Sequence, residues 1–202
     1  MKCLIISGGE FSKVQIKGSY DLTIACDRGY KYAKKLKIKT DIVIGDFDSS
    51  KMPHDNTTII TVPKEKDDTD TGLAVKYALR NGYKEINIIC ALGKRIDHTL
   101  ANISLLKSIA EKGAKGKILS NNTELFAACN GLVKVEKKAN SYLSIFSLSD
   151  RSHIEYIKGT KYDTKNIILK NSFPLGVSNE FKNKYAHIKI NKGIVLISVV
   201  KK

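Results

Sequence analysis

No apolar run in this 202-residue chain approaches the roughly 20 residues that a membrane-crossing helix needs. The opening stretch, Met1-Lys2-Cys3-Leu4-Ile5-Ile6-Ser7-Gly8-Gly9, has too short an apolar core for a signal peptide and reads as a first strand. A soluble, cytoplasmic protein with no membrane partner is the expectation. The four cysteines, Cys3, Cys26, Cys90 and Cys129, form no Cys-x-x-Cys pair, which leaves zinc and thiol-redox motifs unsupported. Cys3, Cys26 and Cys90 lie inside apolar runs and read as small buried hydrophobes in a reducing compartment. Gly-x-Ser-x-Gly is absent, and so is a phosphate loop ending in Gly-Lys-Ser/Thr. Acidic residues are few: 20 against 35 lysines and arginines, a formal net charge of +15. Such a balance suits nucleic acid or polyanionic small molecules such as nucleotides. The lysines are scattered, however (Lys34-Lys35, Lys137-Lys138, Lys182, Lys184, Lys201-Lys202), and form no single stripe. The chain is rich in Lys, Asn and Ile and low in Arg and Pro, as a genome-wide bias would make it. No nucleic-acid partner is expected.

Hydrophobic residues make up 42% of the chain, enough for a globular core. Residues 3–7, 22–26, 42–44, 58–62, 86–90 and 117–119 read as short apolar strands. Between them lie helical patterns, one with Tyr30, Ala33 and Leu36 on its apolar face. A second carries Leu73, Ala74, Tyr77 and Ala78 and stops at Asn81-Gly82. A third has Leu100, Ile103, Leu106 and Ala110 inward and ends at Gly113. This alternation predicts an α/β domain of three layers around a largely parallel sheet, residues 1–121. Beyond it the helical period disappears. Residues 125–128, 132–135, 143–146, 154–157, 167–169, 186–190 and 194–200 are strand-like. Turn signals such as Asn130-Gly131, Gly159, Asn171-Ser172 and Asn191-Lys192-Gly193 separate them. That pattern predicts a second, all-β sandwich domain, residues 122–202.

Open α/β sheets bind ligands at the carboxyl ends of their strands. Ser7-Gly8-Gly9, Asp27-Arg28-Gly29, Gly45-Asp46-Phe47-Asp48-Ser49 and Gly93-Lys94-Arg95-Ile96-Asp97-His98 all fall at such predicted ends. Asp46 and Asp48 point to one side if the chain stays extended. Two carboxylates converging there pack poorly but suit magnesium, a hard cation that leaves room for substrate phosphates. Lys66-Asp67-Asp68-Thr69-Asp70 stands just before a helix, where backbone N–H groups favour anions. Plainer roles are open to the same residues. Asp68 or Thr69 can cap the second helix and Asp97 the third, Asp27 can be a turn residue, and Arg95 can make a surface ion pair. His98 reads as a hydrogen-bonding neighbour, since no second histidine stands at ligand spacing. Carboxylates, glycines, Lys66 and Arg95 together suggest magnesium-assisted phosphoryl chemistry without a covalent intermediate.

These motifs resemble the thiamine pyrophosphokinase family. Asp27-x-Gly29, Gly45-Asp46-Phe47-Asp48-Ser49, Lys66-Asp67-x-Thr69-Asp70 and Gly93-x-Arg95-x-Asp97-His98-x-x-x-Asn102 stand in that family's order and spacing. Gly159-x-x-Tyr162 and Gly176-x-Ser178-Asn179-Glu180-Phe181 look like its carboxyl-terminal motifs. The resemblance implies a homodimer with sites between subunits, and transfer of the β,γ-diphosphate of ATP to the hydroxyl of thiamine with release of AMP. It implies that Asp46, Asp48 and Asp70 hold Mg2+, and that Asp27, Lys66, Thr69 and His98 belong to the nucleotide side. Arg95 and Asp97 complete the phosphate and hydroxyethyl region, with Asp70 or Asp97 accepting the hydroxyl proton. Tyr162, Ser178 and Asn179 face thiamine, whose cationic thiazolium suits an aromatic face. Lys94 and Arg28 stand where the family usually has glycine. They motivate a second reading, a nucleotide- or thiamine-binding module without catalysis.

Overall fold

In the computed structural model the described residues are 1–16, 18–45, 57–61, 67–93 and 95–202. Asp46, Asp48, Lys66 and Lys94 therefore lie outside the described residues. The chain forms two compact units, Met1–Asn121 and Asn122–Lys202. No helix among the described residues is long and apolar enough to cross a membrane.

The first unit alternates β1 (Lys2–Ile6), β2 (Leu22–Cys26), α1 (Gly29–Leu36), β3 (Ile42–Gly45), β4 (Thr58–Thr61), α2 (Asp70–Arg80), β5 (Glu85–Ile89), α3 (Ile96–Glu111) and β6 (Lys115–Leu119). Its strands pair in the order β4-β3-β2-β1-β5-β6, every pair parallel. The order reverses between β1 and β5, as in a doubly wound sheet. Ile, Val, Leu and Cys fill the inner strands because a parallel sheet with helices on both faces is buried on both. Leu4, Ile6, Ala25, Val43 and Ile89 pack with Tyr30 and Ala33 of α1. The opposite face belongs to α3, where a Cβ at Gly116 would lie 2.8 Å from Ile109. Glycine at that strand position lets the helix approach closely.

The inward face of α3 differs from the expected one. Leu100 is 59% exposed, and the buried positions are Asn102, Leu106, Ile109 and Ala110. Asn102 can be buried because its amide donates to the Ala91 carbonyl at 2.7 Å, so no polar group is stranded. The buried thiols of Cys3, Cys26 and Cys90 are pushed up by burial, Cys3 to about 12. They are inert packing groups.

The second unit contains β7 (Thr123–Glu136), β8 (Ser141–Ser147), β9 (Arg151–Lys158), β10 (Thr164–Lys170), β11 (Gly176–Glu180) and β12 (Tyr185–Lys201). All its pairings are antiparallel. Two pairs of expected strands are single long ones: 125–128 with 132–135 in β7, and 186–190 with 194–200 in β12. The expected turns at Asn130-Gly131 and Asn191-Lys192-Gly193 are instead a bulge within the β7–β12 ladder, between Ile190 and Ile194. Gly131 (φ 124°) and Gly193 (φ 95°) supply the left-handed backbone there, which glycine adopts at little cost. At this bend β12 exchanges β9 for β8 as its second neighbour. One strand thereby serves both parts of the β-structure. Leu143, Ile145, Ile154, Ile157, Ile188, Ile190, Val195 and Ile197 form the core enclosed. β11 was not expected, because Gly176-Val177-Ser178-Asn179-Glu180 shows no apolar alternation.

The start of α1 tests the packing at the sheet edge. A Cβ on Gly29 would stand 2.0 Å from the Ile6 carbonyl oxygen, whereas one on Gly8 meets nothing nearer than 3.6 Å. Gly29→Ala is expected to cost about 3 kcal/mol of stability by overpacking, and Gly8→Ala to stay within about 0.5 kcal/mol. Urea unfolding midpoints of the two variants check the contrast.

Candidate functional site at the carboxyl edge of the parallel sheet

The loops that leave β1, β2, β3 and β5 are fastened to one another. Past the strand ends, Ser7, Gly9 and Glu10 donate backbone N–H bonds of 2.9 Å to Ile89, Cys90 and Leu92. A Cβ on Gly9 would lie 2.7 Å from the Cys90 carbonyl, so this closeness requires glycine. Asp27 donates its N–H to Ile44 at 2.9 Å, and its backbone lies 3.3 Å from where a Cβ on Gly45 would be. The end of β3 thus lies directly beside Asp27. Asp27 (φ 43°) and Cys90 (φ 54°) are left-handed. Aspartate tolerates that region and cysteine less so. Strain of this kind gathers at functional loops.

The start of α2 is latched onto the same edge. The Ser7 and Thr71 hydroxyls share a buried hydrogen bond of 2.7 Å, and the Cys26 thiol lies 3.5 Å from the Asp70 carbonyl. Asp70 and Asp27 are thereby brought to one place, the ends of β1 and β2. Thr69 is the N-cap, its Oγ1 accepting from the Gly72 N–H at 3.0 Å. As an acceptor it keeps its own O–H for a further partner. Asp68, the alternative cap, instead accepts from the Thr69 N–H at 2.9 Å and pairs with Lys76 at 2.6 Å. A Cβ on Gly72 would overlap that carboxylate. Asp68 therefore braces the Thr69 cap, and glycine at 72 leaves room for its carboxylate.

The loop from β5 into α3 carries Gly93 (φ 137°), where a Cβ would collide with Glu10. Asn102 secures it from below through Ala91. Arg95 precedes the first helical turn, and its Nε donates to Asp97 Oδ1 at 2.9 Å while Nη2 donates to Oδ2. Asp97 stands in the first turn and is not the cap residue. The Arg95 guanidinium holds its carboxyl well below the usual carboxylate range. The pairing engages Nε and Nη2 of Arg95 and not Nη1. His98 is exposed beside it. Among the described residues no group of three His, Cys, Asp or Glu side chains could hold a metal.

In the second unit, Tyr162 is 60% exposed. Its backbone N–H donates to the Asn179 side-chain oxygen at 3.1 Å, and its carbonyl accepts from the Asn179 Nδ2 at 3.0 Å. Ser178 is exposed and left-handed (φ 59°), with its N–H donating to Ser144 Oγ at 3.0 Å. Tyr162, Ser178 and Asn179 are therefore neighbours, although Asn179 spends its amide on backbone. Lys161 lies 5.6 Å from the Tyr162 ring centre and 3.2 Å from Glu180. Hydrogen bonds from Lys202 and Lys161 hold the Glu180 carboxyl below its usual range.

Residues 14–118 match the family described as thiamin pyrophosphokinase, catalytic domain. Residues 132–195 match thiamin pyrophosphokinase, vitamin B1 binding domain. A relative named thiamine pyrophosphokinase from Bacillus subtilis (strain 168) is 27% identical across 96% of this chain and 95% of its own. The crystal structure of thiamine pyrophosphokinase from Bacillus subtilis shares the fold with a TM-score of 0.90, at 24% identity over 100% of both chains. That of a thiamin pyrophosphokinase family protein from Enterococcus faecalis gives 0.84 at 26% identity, again over 100% of both.

The Arg95–Asp97 pair predicts a pH response. A carboxylate with a depressed folded pKa adds stability that is present above its unfolded value, about 3.9, and is lost as pH falls through the lower folded value. Asp97 should accordingly stay ionised through pH 4. In Arg95→Gln its carboxyl titration, followed by NMR, should return to the ordinary aspartate range. An unchanged titration in that variant would contradict the pairing.

Proposed function

The chain belongs to the thiamin pyrophosphokinase family, and we propose that it makes thiamine diphosphate by transferring the β,γ-diphosphate of ATP to the hydroxyl of thiamine, with AMP released. The observation that carries this reading is the convergence of Asp27, Asp70 and the end of β3 at one sheet edge, in a chain matched by both the catalytic and the vitamin B1 binding domain.

The candidate ligands at that edge are carboxylates: Asp27, Asp70 and, in the sequence after Gly45, Asp46 and Asp48. Such a set fits Mg2+ and not a soft metal. Asp46, Asp48 and Asp70 would hold the ion, which when bound neutralises charge on the phosphates. The amino ends of α2 and α3 favour anions. Thr69, Lys66 and Arg95 would supply further donors to the nucleotide, with Asp27 and His98 on the same side of the substrate.

The thiamine hydroxyl must approach the β-phosphorus in line, with AMP leaving opposite. Its proton needs an acceptor near the reacting oxygen. Asp97 is weakened as a base by Arg95, since proton affinity falls as the pKa falls. Asp97 therefore serves to orient Arg95 more than to take the proton. Tyr162 offers its exposed face to the cationic thiazolium, with Ser178 and Asn179 adjoining it.

A cytoplasmic homodimer is the assembly and location that fit this reading. Apolar side chains at Ile168, Phe173, Leu175 and Val177, on and beside β10 and β11, are exposed. Burial of such a group against a second copy would be favourable.

Asp46→Asn and Asp70→Asn should each lower turnover on the order of 10² to 10³, the loss typical when a group stabilising transition-state charge is removed. Thermal unfolding should stay close to the parent's. AMP release measured across a magnesium titration checks this. Full activity in both variants would contradict the metal assignment.

A further inference from the structure

A side chain continues the β-ladder beneath Tyr162. Residues 159–162 run antiparallel to the end of β11, through the Thr160–Phe181 bridge. Lys182 donates to Gly159 at 3.0 Å, and Lys161 to Glu180 at 2.8 Å. At Tyr162 the backbone partner is missing. The Asn179 amide takes its place, accepting from Tyr162 N–H at 3.1 Å and donating to the Tyr162 carbonyl at 3.0 Å. A carboxamide carries a donor and an acceptor side by side, as a peptide group does. The same Oδ1 also accepts from the Glu180 N–H at 2.9 Å. Both backbone donors require oxygen at that position, which fixes the orientation of the amide.

The aim of this side chain is built into β11. Gly176 pairs with Ile145 and Asn179 with Leu143, so Val177 and Ser178 together face the single Ser144 of β8. The extra residue is a bulge, a device that redirects the following side chain. Left-handed Ser178 (φ 59°) provides the turn, and Ser144, 9% exposed, holds it by accepting the Ser178 N–H. Asp163 ties the other side of the Tyr162 turn, accepting from the N–H and hydroxyl of Thr160 at 2.8 and 3.0 Å. It does not engage Tyr162 itself. The Tyr162 ring is mostly exposed, so its place depends on its backbone.

We propose that Asn179 acts on thiamine through Tyr162, as a positioning residue and not as a ligand. The inference rests on the reading of Tyr162 as a thiamine contact. Loss of the amide donor frees the Tyr162 carbonyl, and an acidic replacement sets a carboxylate against it.

A double-mutant cycle and a spectroscopic readout test this. Asn179→Asp should raise the thiamine KM about tenfold, the equivalent of one or two lost hydrogen bonds, while the ATP KM stays unchanged. Asn179→Ala should give the same pattern without added charge, which guards against misfolding of the acidic variant. In a Tyr162→Ala background, Asn179→Asp should change the thiamine KM no further. An additional loss there would assign Asn179 a direct contact and overturn the proposal. The chain has no tryptophan, so Tyr162→Trp creates a lone tryptophan, which can be excited selectively over the tyrosines. Its anisotropy should fall when Asn179→Asp or Asn179→Ala is added. Unchanged anisotropy in both would overturn the clamp whether or not the protein proves to make thiamine diphosphate. A parent protein without that activity would instead overturn the functional reading.

Discussion

The latch between the start of α2 and the ends of β1 and β2 is the constraint on which the candidate site depends. A buried hydroxyl pair, Ser7 with Thr71, and the Cys26 thiol against the Asp70 carbonyl fix it. The hydroxyl pair is buried, where an unpaired partner is costly. Because parallel strands deliver their loops to one edge, this latch sets Asp70 beside Asp27, and Asp27 adjoins the exit from β3. The glycines nearby permit backbones to touch, at Gly9 against Cys90 and Gly29 against Ile6. Left-handed Asp27 and Cys90 mark where that closeness strains the chain. The same packing that stabilises the sheet therefore gathers carboxylates and helix amino ends, which is the setting phosphoryl transfer needs.

The second unit solves a different problem, holding an aromatic ring at an exposed turn. β12 runs through both halves of the β-structure and bends at Gly193. From that core β8 and the bulged β11 reach Tyr162 through Ser144, Ser178 and Asn179. Lys161 and Lys202 on either side of Glu180 are exposed pairs and add little to stability. The hydrogen-bonded amide, and not the ion pairs, is what orders the turn.

Much of the fold is legible in the sequence because parallel strands buried on both faces leave continuous apolar runs, such as Ile42-Val43-Ile44, between helical periods. The errors share a cause, the local signal yielding to tertiary context. Leu100 fits an apolar stripe, yet α3 turns Asn102 inward because Ala91 offers that amide a partner. Asn130-Gly131 is a strong hairpin signal in isolation, but opposite Gly193 it becomes a bulge in a long ladder. For the candidate site, the rule of strand ends gathers Asp27, Asp70, Arg95 and Asp97 on one edge, while Asp46, Asp48 and Lys66 lie outside the described residues. The brace of Asp68 and the amide of Asn179 were not legible. Both act on backbone through side-chain geometry, which spacing does not encode.

In the proposed reaction two phosphoryl groups move together to thiamine. Phosphorus NMR of a reaction holding this protein, ATP, thiamine and magnesium measures it directly. AMP and thiamine diphosphate are expected in equal amounts, with no signal from ADP or thiamine monophosphate. ADP in step with thiamine monophosphate would mean attack at the γ-phosphorus, and would contradict the proposed transfer.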